Sequence, residues 1–161
     1  MFLDLRVPLS QFDSFSNSYE GELGNALGVF GADPSFFIEQ KVQVLAREIG
    51  KKSVREILDF GSGVGLAVPF ILKYLEPYRL TCTDESIESL KTLKSRFPSV
   101  ETIKFESTEG RLFDLVFISN VLHHIDQSRR QSVLSEVCKR LAPNGRIAIF
   151  EHNPVNPMTR F

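Results

Sequence analysis

Asp59, Gly61, Gly63 and Gly65 are the residues whose types and spacing speak first of chemistry. They close the stretch Glu56-Ile57-Leu58-Asp59-Phe60-Gly61-Ser62-Gly63-Val64-Gly65-Leu66. Glycine accepts positive φ and has no Cβ to hold a ligand away from the main chain. A chain that turns sharply off a strand and lets a small molecule touch its backbone uses both properties. The stretch therefore predicts a ligand cradled at the carboxyl end of a strand in an open α/β sheet. The dinucleotide fingerprint G-x-G-x-x-G needs its third glycine one residue later, where Leu66 stands. Asp59 also puts an anion beside the turn, which suits a cation better than a pyrophosphate. A second acid, Asp84, stands about twenty residues beyond the glycines, where a carboxylate can accept hydrogen bonds from both hydroxyls of a ribose. Asp84 is equally suited to cap the next helix. An ordinary tight turn remains the plain alternative for the glycines.

The elements needed to position these groups follow from the apolar pattern. Val54–Phe60 reads as a buried first strand, and Val64–Leu75 as a helix with Val68, Ile71, Leu72 and Leu75 on one face. Ahead of it, Asp33-Pro34 is a helix start, with Asp as N-cap and Pro in the first turn. Phe37, Ile38, Val42, Leu45 and Ile49 share a face of that helix, and Gly50 stops it. Tyr78–Thr83 reads as a second strand ending at Asp84 and Glu85. Glu85–Phe97 follows as a helix with Ile87, Leu90 and Leu93 inward. Val100–Phe105 is a third strand. Phe113 to Ser119-Asn120 is a buried fourth strand running into a turn that bears His123 and His124. Asp126 caps a helix over Gln127–Leu141, with Val133, Leu134, Val137 and Leu141 inward. Pro143-Asn144-Gly145 is a turn, and Arg146–Phe150 a fifth strand. Adjacent histidines point different ways, so a two-histidine chelate is disfavoured and no metal site is expected.

The D-x-G-x-G-x-G arrangement at Asp59–Gly65 resembles the cofactor loop of class I S-adenosylmethionine-dependent methyltransferases. That cofactor carries an ammonium and a sulfonium and no phosphate, in agreement with the charge argument. Phe113-Asp114-Leu115-Val116, followed by Val121-Leu122-His123-His124, is similar to the family's F-D-x-V block. Glu151-His152-Asn153-Pro154-Val155-Asn156-Pro157 looks like the loop after the fifth strand in a bacterial small-molecule and glycan-type subgroup. The resemblance implies a Rossmann-like, doubly wound, mainly parallel sheet in the order 3-2-1-4-5 with helices on both faces. It implies S-adenosylmethionine as cofactor. Asp59, Phe60, Gly61, Ser62, Gly63 and Gly65 would face the methionine part, and Asp84 and Glu85 the ribose. Glu106 and Ser107 would lie towards the adenine, although the usual G-D-A sequence is not there. Ser119 and Asn120 would form the other wall of the crevice. Phe12-Asp13 and Tyr19 are similar to the family's F-D-x-x-x-x-x-Y lead-in, which would make Tyr19 part of a lid over the cofactor. His124 and His152 are the candidate general bases. The family usually continues through two more strands. Five are legible here, so the chain is expected to lack strands six and seven, leaving a fifth-strand edge open to self-association.

The 161 residues suggest one domain, a lead-in over 1–33 and an α/β core over 34–161. A 42% hydrophobic content supplies an ordinary core, and a net charge of −1 argues against nucleic acid as the partner. The acceptor implied is a small molecule or a glycan- or lipid-linked compound. Cys82 and Cys138 lack metal-ligand spacing and read as core thiols, in keeping with a reducing compartment. The start of the chain lacks a basic segment followed by an apolar run, and no stretch is long enough to span a membrane, so the reading is cytoplasmic. Two other readings stand beside methyl transfer: a non-catalytic cofactor-binding or interaction module, and an NAD-dependent oxidoreductase.

Overall fold

The computed structural model describes residues 34–50 and 54–151. Five strands form one sheet: β1 Glu56–Phe60, β2 Arg79–Thr83, β3 Glu101–Ile103, β4 Phe113–Ser119 and β5 Leu141–Phe150. Their order is β3-β2-β1-β4-β5, as expected from the sequence, and every neighbouring pair is parallel. Parallel neighbours need a crossover, and helices supply it. These are α1 Pro34–Ile49, α2 Val68–Leu75, α3 Ile87–Arg96 and α4 Gln127–Cys138.

Side-chain alternation divides the core between the two faces of the sheet. Ile57, Leu80, Cys82, Leu115 and Phe117 pack with Val42 and Leu45 of α1, Val68, Ile71 and Leu75 of α2, and Leu93 of α3. Leu58, Val116 and Ile118 face the other way and pack with Val137 of α4 and Phe113. The central strands are apolar on both faces because helices cover both.

Several expectations need correction. The helix expected from Val64 begins at Val68. Gly63 and Gly65 take positive φ, and the Gly65 N–H donates to the Ser62 carbonyl at 3.0 Å, so the preceding segment is a series of turns. The helix expected to reach Leu141 ends at Cys138, and β5 begins at Leu141 rather than Arg146. Pro143-Asn144-Gly145 does not separate helix from strand. It bulges out of β5, whose pairing jumps from Phe113↔Leu141 to Leu115↔Arg146, with Asn144 at φ 68°. Ser86, and not Asp84, is the N-cap of α3, its hydroxyl accepting from the Ser89 N–H. Phe37, Leu72 and Ile87 are exposed despite their apolar spacing. Cys82 is buried as expected, but Cys138 is exposed, because at this turn of α4 it is the neighbouring Val137 that packs against the sheet.

Candidate functional site

A parallel sheet in this order changes direction between β1 and β4, and the carboxyl ends of those strands open a crevice there. The glycine turn fills one side of that opening. It is tied to β2 by two donors on one acceptor: the N–H groups of Gly61 and Ser62 both reach the Thr83 carbonyl, at 2.8 and 2.9 Å. The Ser62 hydroxyl donates to the same oxygen at 3.3 Å. Phe60 packs edge-on against Phe105, with ring centroids 4.9 Å apart.

The three glycines serve different purposes. A Cβ on Gly61 would lie 2.5 Å from Cγ2 of Val121, so this glycine lets the turn after β4 close onto β1. A Cβ on Gly65 would lie 2.8 Å from Cγ of Leu93, so that glycine lets α3 approach. Gly63 has φ 53° and nothing within 4 Å of its Cβ position. Its open side is the one a ligand could occupy.

Asp84 is built into this turn. Its Oδ2 accepts from the Gly63 N–H at 2.8 Å and its Oδ1 from the Ser86 N–H at 2.9 Å. Burial raises its pKa, against which the backbone N–H groups of Ser86, Gly63 and Glu85 act. Each carboxylate oxygen has a second lone pair, so holding the turn does not exhaust its capacity to accept. Asp59 is 2% exposed, and its Oδ2 is buried with no hydrogen-bond partner in the structure. Burial pushes its carboxyl up to about 7, and the Asp84 charge adds to this. A buried, unpartnered carboxylate oxygen costs free energy that a cationic or donating ligand offsets.

The opposite wall comes from the ends of β4 and β5. Lys41 of α1 donates from Nζ to the Ser119 hydroxyl at 3.1 Å and to Oδ1 of Asn120 at 3.2 Å. Asn120 has φ 58°, and its N–H donates to the Phe150 carbonyl at 2.8 Å. Glu151, just after β5, accepts at Oε1 from the N–H groups of Val121 and Leu122, both at 2.8 Å. Its Oε2 lies 2.8 Å from Nδ1 of His123. Burial pushes the Glu151 carboxyl up, but the hydrogen bonds from His123, Leu122 and Val121 outweigh it and hold it below the usual range.

The structure thus brings Asp59, Gly61, Ser62, Gly63, Gly65 and Asp84 together, with Ser119 and Asn120 on the far wall. Glu85, Glu106 and Ser107 are exposed, Glu106 and Ser107 lying on a 3₁₀ turn, Phe105–Thr108, after β3. Glu85 and Glu106 are close enough for their charges to oppose each other, with Arg129 of α4 offsetting Glu85. His124 is exposed on a second 3₁₀ turn, Leu122–His124, its ring 4.0 Å from that of His123. Tyr19 and His152 lie outside the described residues. Among the described residues no cluster of His, Cys, Asp or Glu is arranged to hold a metal, and no helix is long and apolar enough to cross a membrane.

Lys41 and Asp114 were not legible as site or scaffold residues. Lys41 is a single lysine on a helix with no motif around it. Glu151 was read only as the first residue of the loop after the fifth strand, with no role of its own, although like Asp84 it is an acid directly after an apolar strand. Asp114, in the F-D-x-V block, turns out to clasp the amino end of β1, accepting from the Arg55 and Glu56 N–H groups at 2.7 and 3.0 Å.

Fold and site together define a Rossmann-like α/β protein with a glycine turn at its topological switch point. The family model described as "Methyltransferase domain" matches residues 58–147, and the chain belongs to that family. An uncharacterized methyltransferase of Schizosaccharomyces pombe is 27% identical over 114 residues, covering 68% of this chain and 44% of the relative. The chain therefore spans less than half the length of the curated relative it matches. Among solved structures, the N-methyltransferase NodS from Bradyrhizobium japonicum, in complex with S-adenosyl-L-homocysteine, superposes with a TM-score of 0.57 at 21% identity, covering 69% of this chain and 59% of NodS. The plantazolicin methyltransferase BpumL gives a TM-score of 0.64 at 19% identity, with coverage of 90% and 60%. These likenesses agree with the sheet order expected from the sequence.

Proposed function

We propose that this chain binds S-adenosylmethionine across the ends of β1 and β4 and transfers its methyl group to a small-molecule or glycan- or lipid-linked acceptor. The carrying observation is the buried, unpartnered Oδ2 of Asp59 beside the open backbone at Gly63. A buried acid without a hydrogen-bond partner beside the turn fits an ammonium-bearing ligand better than a pyrophosphate. Family membership and the S-adenosyl-L-homocysteine complex of NodS support the same cofactor. When bound, that cofactor supplies a methyl group already activated on sulfur. The protein's part is then chiefly alignment. Gly63 lets the ligand approach the main chain, Asp84 holds the turn and offers its remaining lone pairs to the ribose, and the β4 wall limits where the acceptor enters. Ser119 and Asn120, held by Lys41, define that wall.

Calorimetric titration of the chain with S-adenosylmethionine and with NAD tests the reading. Binding of the first and not the second is expected. Binding of NAD alone overturns it, and tight S-adenosylmethionine binding with no transfer to any acceptor would identify a binding module instead.

A further inference from the structure

We propose that His123, oriented by Glu151, is the group that takes the acceptor's proton during methyl transfer, and that the acceptor attacks through a proton-bearing hydroxyl, amine or acidic carbon. The inference rests on the methyl-transfer reading above and assigns a different residue from the His124 and His152 that the sequence suggested.

Glu151 is held from two directions. One oxygen accepts both N–H groups at the start of the turn after β4, and the other meets Nδ1 of His123. With the carboxylate so fixed, Nδ1 is the nitrogen that donates and Nε2 carries the lone pair. The backbone cap needs only one carboxylate oxygen. The second is spent on a side chain that is 40% exposed, where an ion pair adds little stability. The Glu151 carboxylate thus caps the turn with one oxygen and orients the imidazole with the other.

The location suits the role. Val121, two residues before His123, packs onto Gly61 so closely that a Cβ there could not fit. The turn that carries His123 thus leans directly on the cofactor turn. Among the charged and titratable groups near the pair are His124, whose ring centroid lies 4.0 Å away at a tilt of 43°, and Lys41, whose charge acts on Glu151 from α1.

The step balances without a further reactant. The acceptor's X–H proton passes to Nε2 of His123, and the electron pair of X forms the new bond to the methyl carbon. The pair of the breaking carbon–sulfur bond returns to the sulfur, which becomes a neutral thioether. The imidazolium that results is stabilised by the Glu151 carboxylate and returns its proton to water.

Two measurements on the full chain test this. Ring-nitrogen NMR of the free protein is expected to show His123 as the Nδ1–H tautomer, and as a mixture in Glu151→Gln. Labelled methyl transfer from S-adenosylmethionine to a small-molecule cell extract is expected to fall about 100-fold in His123→Gln, within the range for losing a general base, with cofactor affinity unchanged. An Nε2–H tautomer in the unaltered protein overturns the proposal. So does His123→Gln labelling the extract as well as the unaltered chain, and that result leaves the methyl-transfer reading standing. Cofactor binding with no labelling by the unaltered chain overturns both.

Discussion

Burial holds the Asp59 carboxyl at about 7, and the Asp84 charge pushes in the same direction. The folded protein therefore keeps a proton that the unfolded chain, with an ordinary carboxyl at 3.8, has lost. This group's contribution to stability is fully present below the unfolded value and is lost as pH rises through about 7. Thermal or denaturant melts at pH 5 and pH 8 should show the free protein less stable at pH 8, by on the order of a few kcal/mol, with the difference reduced in Asp59→Asn. A cation seated against Asp59 restores its ordinary acidity. Binding of S-adenosylmethionine at pH 7 should then release about half a proton, read from calorimetric enthalpies in buffers of different ionisation heat. A buffer-independent enthalpy would place the ammonium elsewhere. Asp84 acts differently, since its oxygens already hold the Gly63 and Ser86 N–H groups. Asp84→Ala should weaken cofactor binding by about 1.5–3 kcal/mol, and Asp84→Asn by less, because an amide oxygen keeps one acceptor. Equal affinity in all three proteins would remove Asp84 from the site.

At the scale of the element, the glycine turn separates binding from folding. Gly63 faces open space at φ 53°, whereas Gly65 faces Leu93 and Phe97 of the neighbouring helix segment. Gly63→Val should abolish cofactor binding while the far-ultraviolet circular dichroism spectrum is retained. Gly65→Ala should instead lower the melting temperature, because a methyl group 2.8 Å from Leu93 forces α3 outward in addition to the strain of φ 85°. The opposite pattern, with Gly63→Val unfolding the protein or leaving binding intact, would show that the turn is scaffold and not cradle. The same separation explains the helix that starts late. A turn whose glycines each solve a different local problem is not free to continue into α2.

At the scale of the whole molecule, β5 lies at one edge of the sheet among the described residues, and Ile149 on it is 45% exposed. Unpaired strand groups beside apolar side chains recruit other chains. We expect concentration-dependent association in sedimentation experiments, reduced by Ile149→Lys, which places a charge on that edge. A chain that stays monomeric at high concentration would mean that the β5 edge is protected.

The strand order came from the family resemblance. Strand identity and the glycine turn were legible in the sequence because they rest on short-range signals: apolar runs of strand length, a glycine triplet, acids at strand ends. Asp126 as a helix cap was legible for the same reason, and its side chain accepts from the Ser128 N–H at 2.8 Å. What the tertiary structure alone decided depends on which residues meet across the sheet. It made Asp84 a clamp on the glycine turn, turned Pro143-Asn144-Gly145 into a bulge, and left Phe37, Ile87 and Cys138 exposed although their spacing looked inward. It also paired Glu151 with His123 across the ends of two parallel strands. Periodicity reports which face of an element is apolar, but not whether another element covers it. A carboxylate far along the chain finds its partner only when parallel crossovers bring strand ends to one side of the sheet.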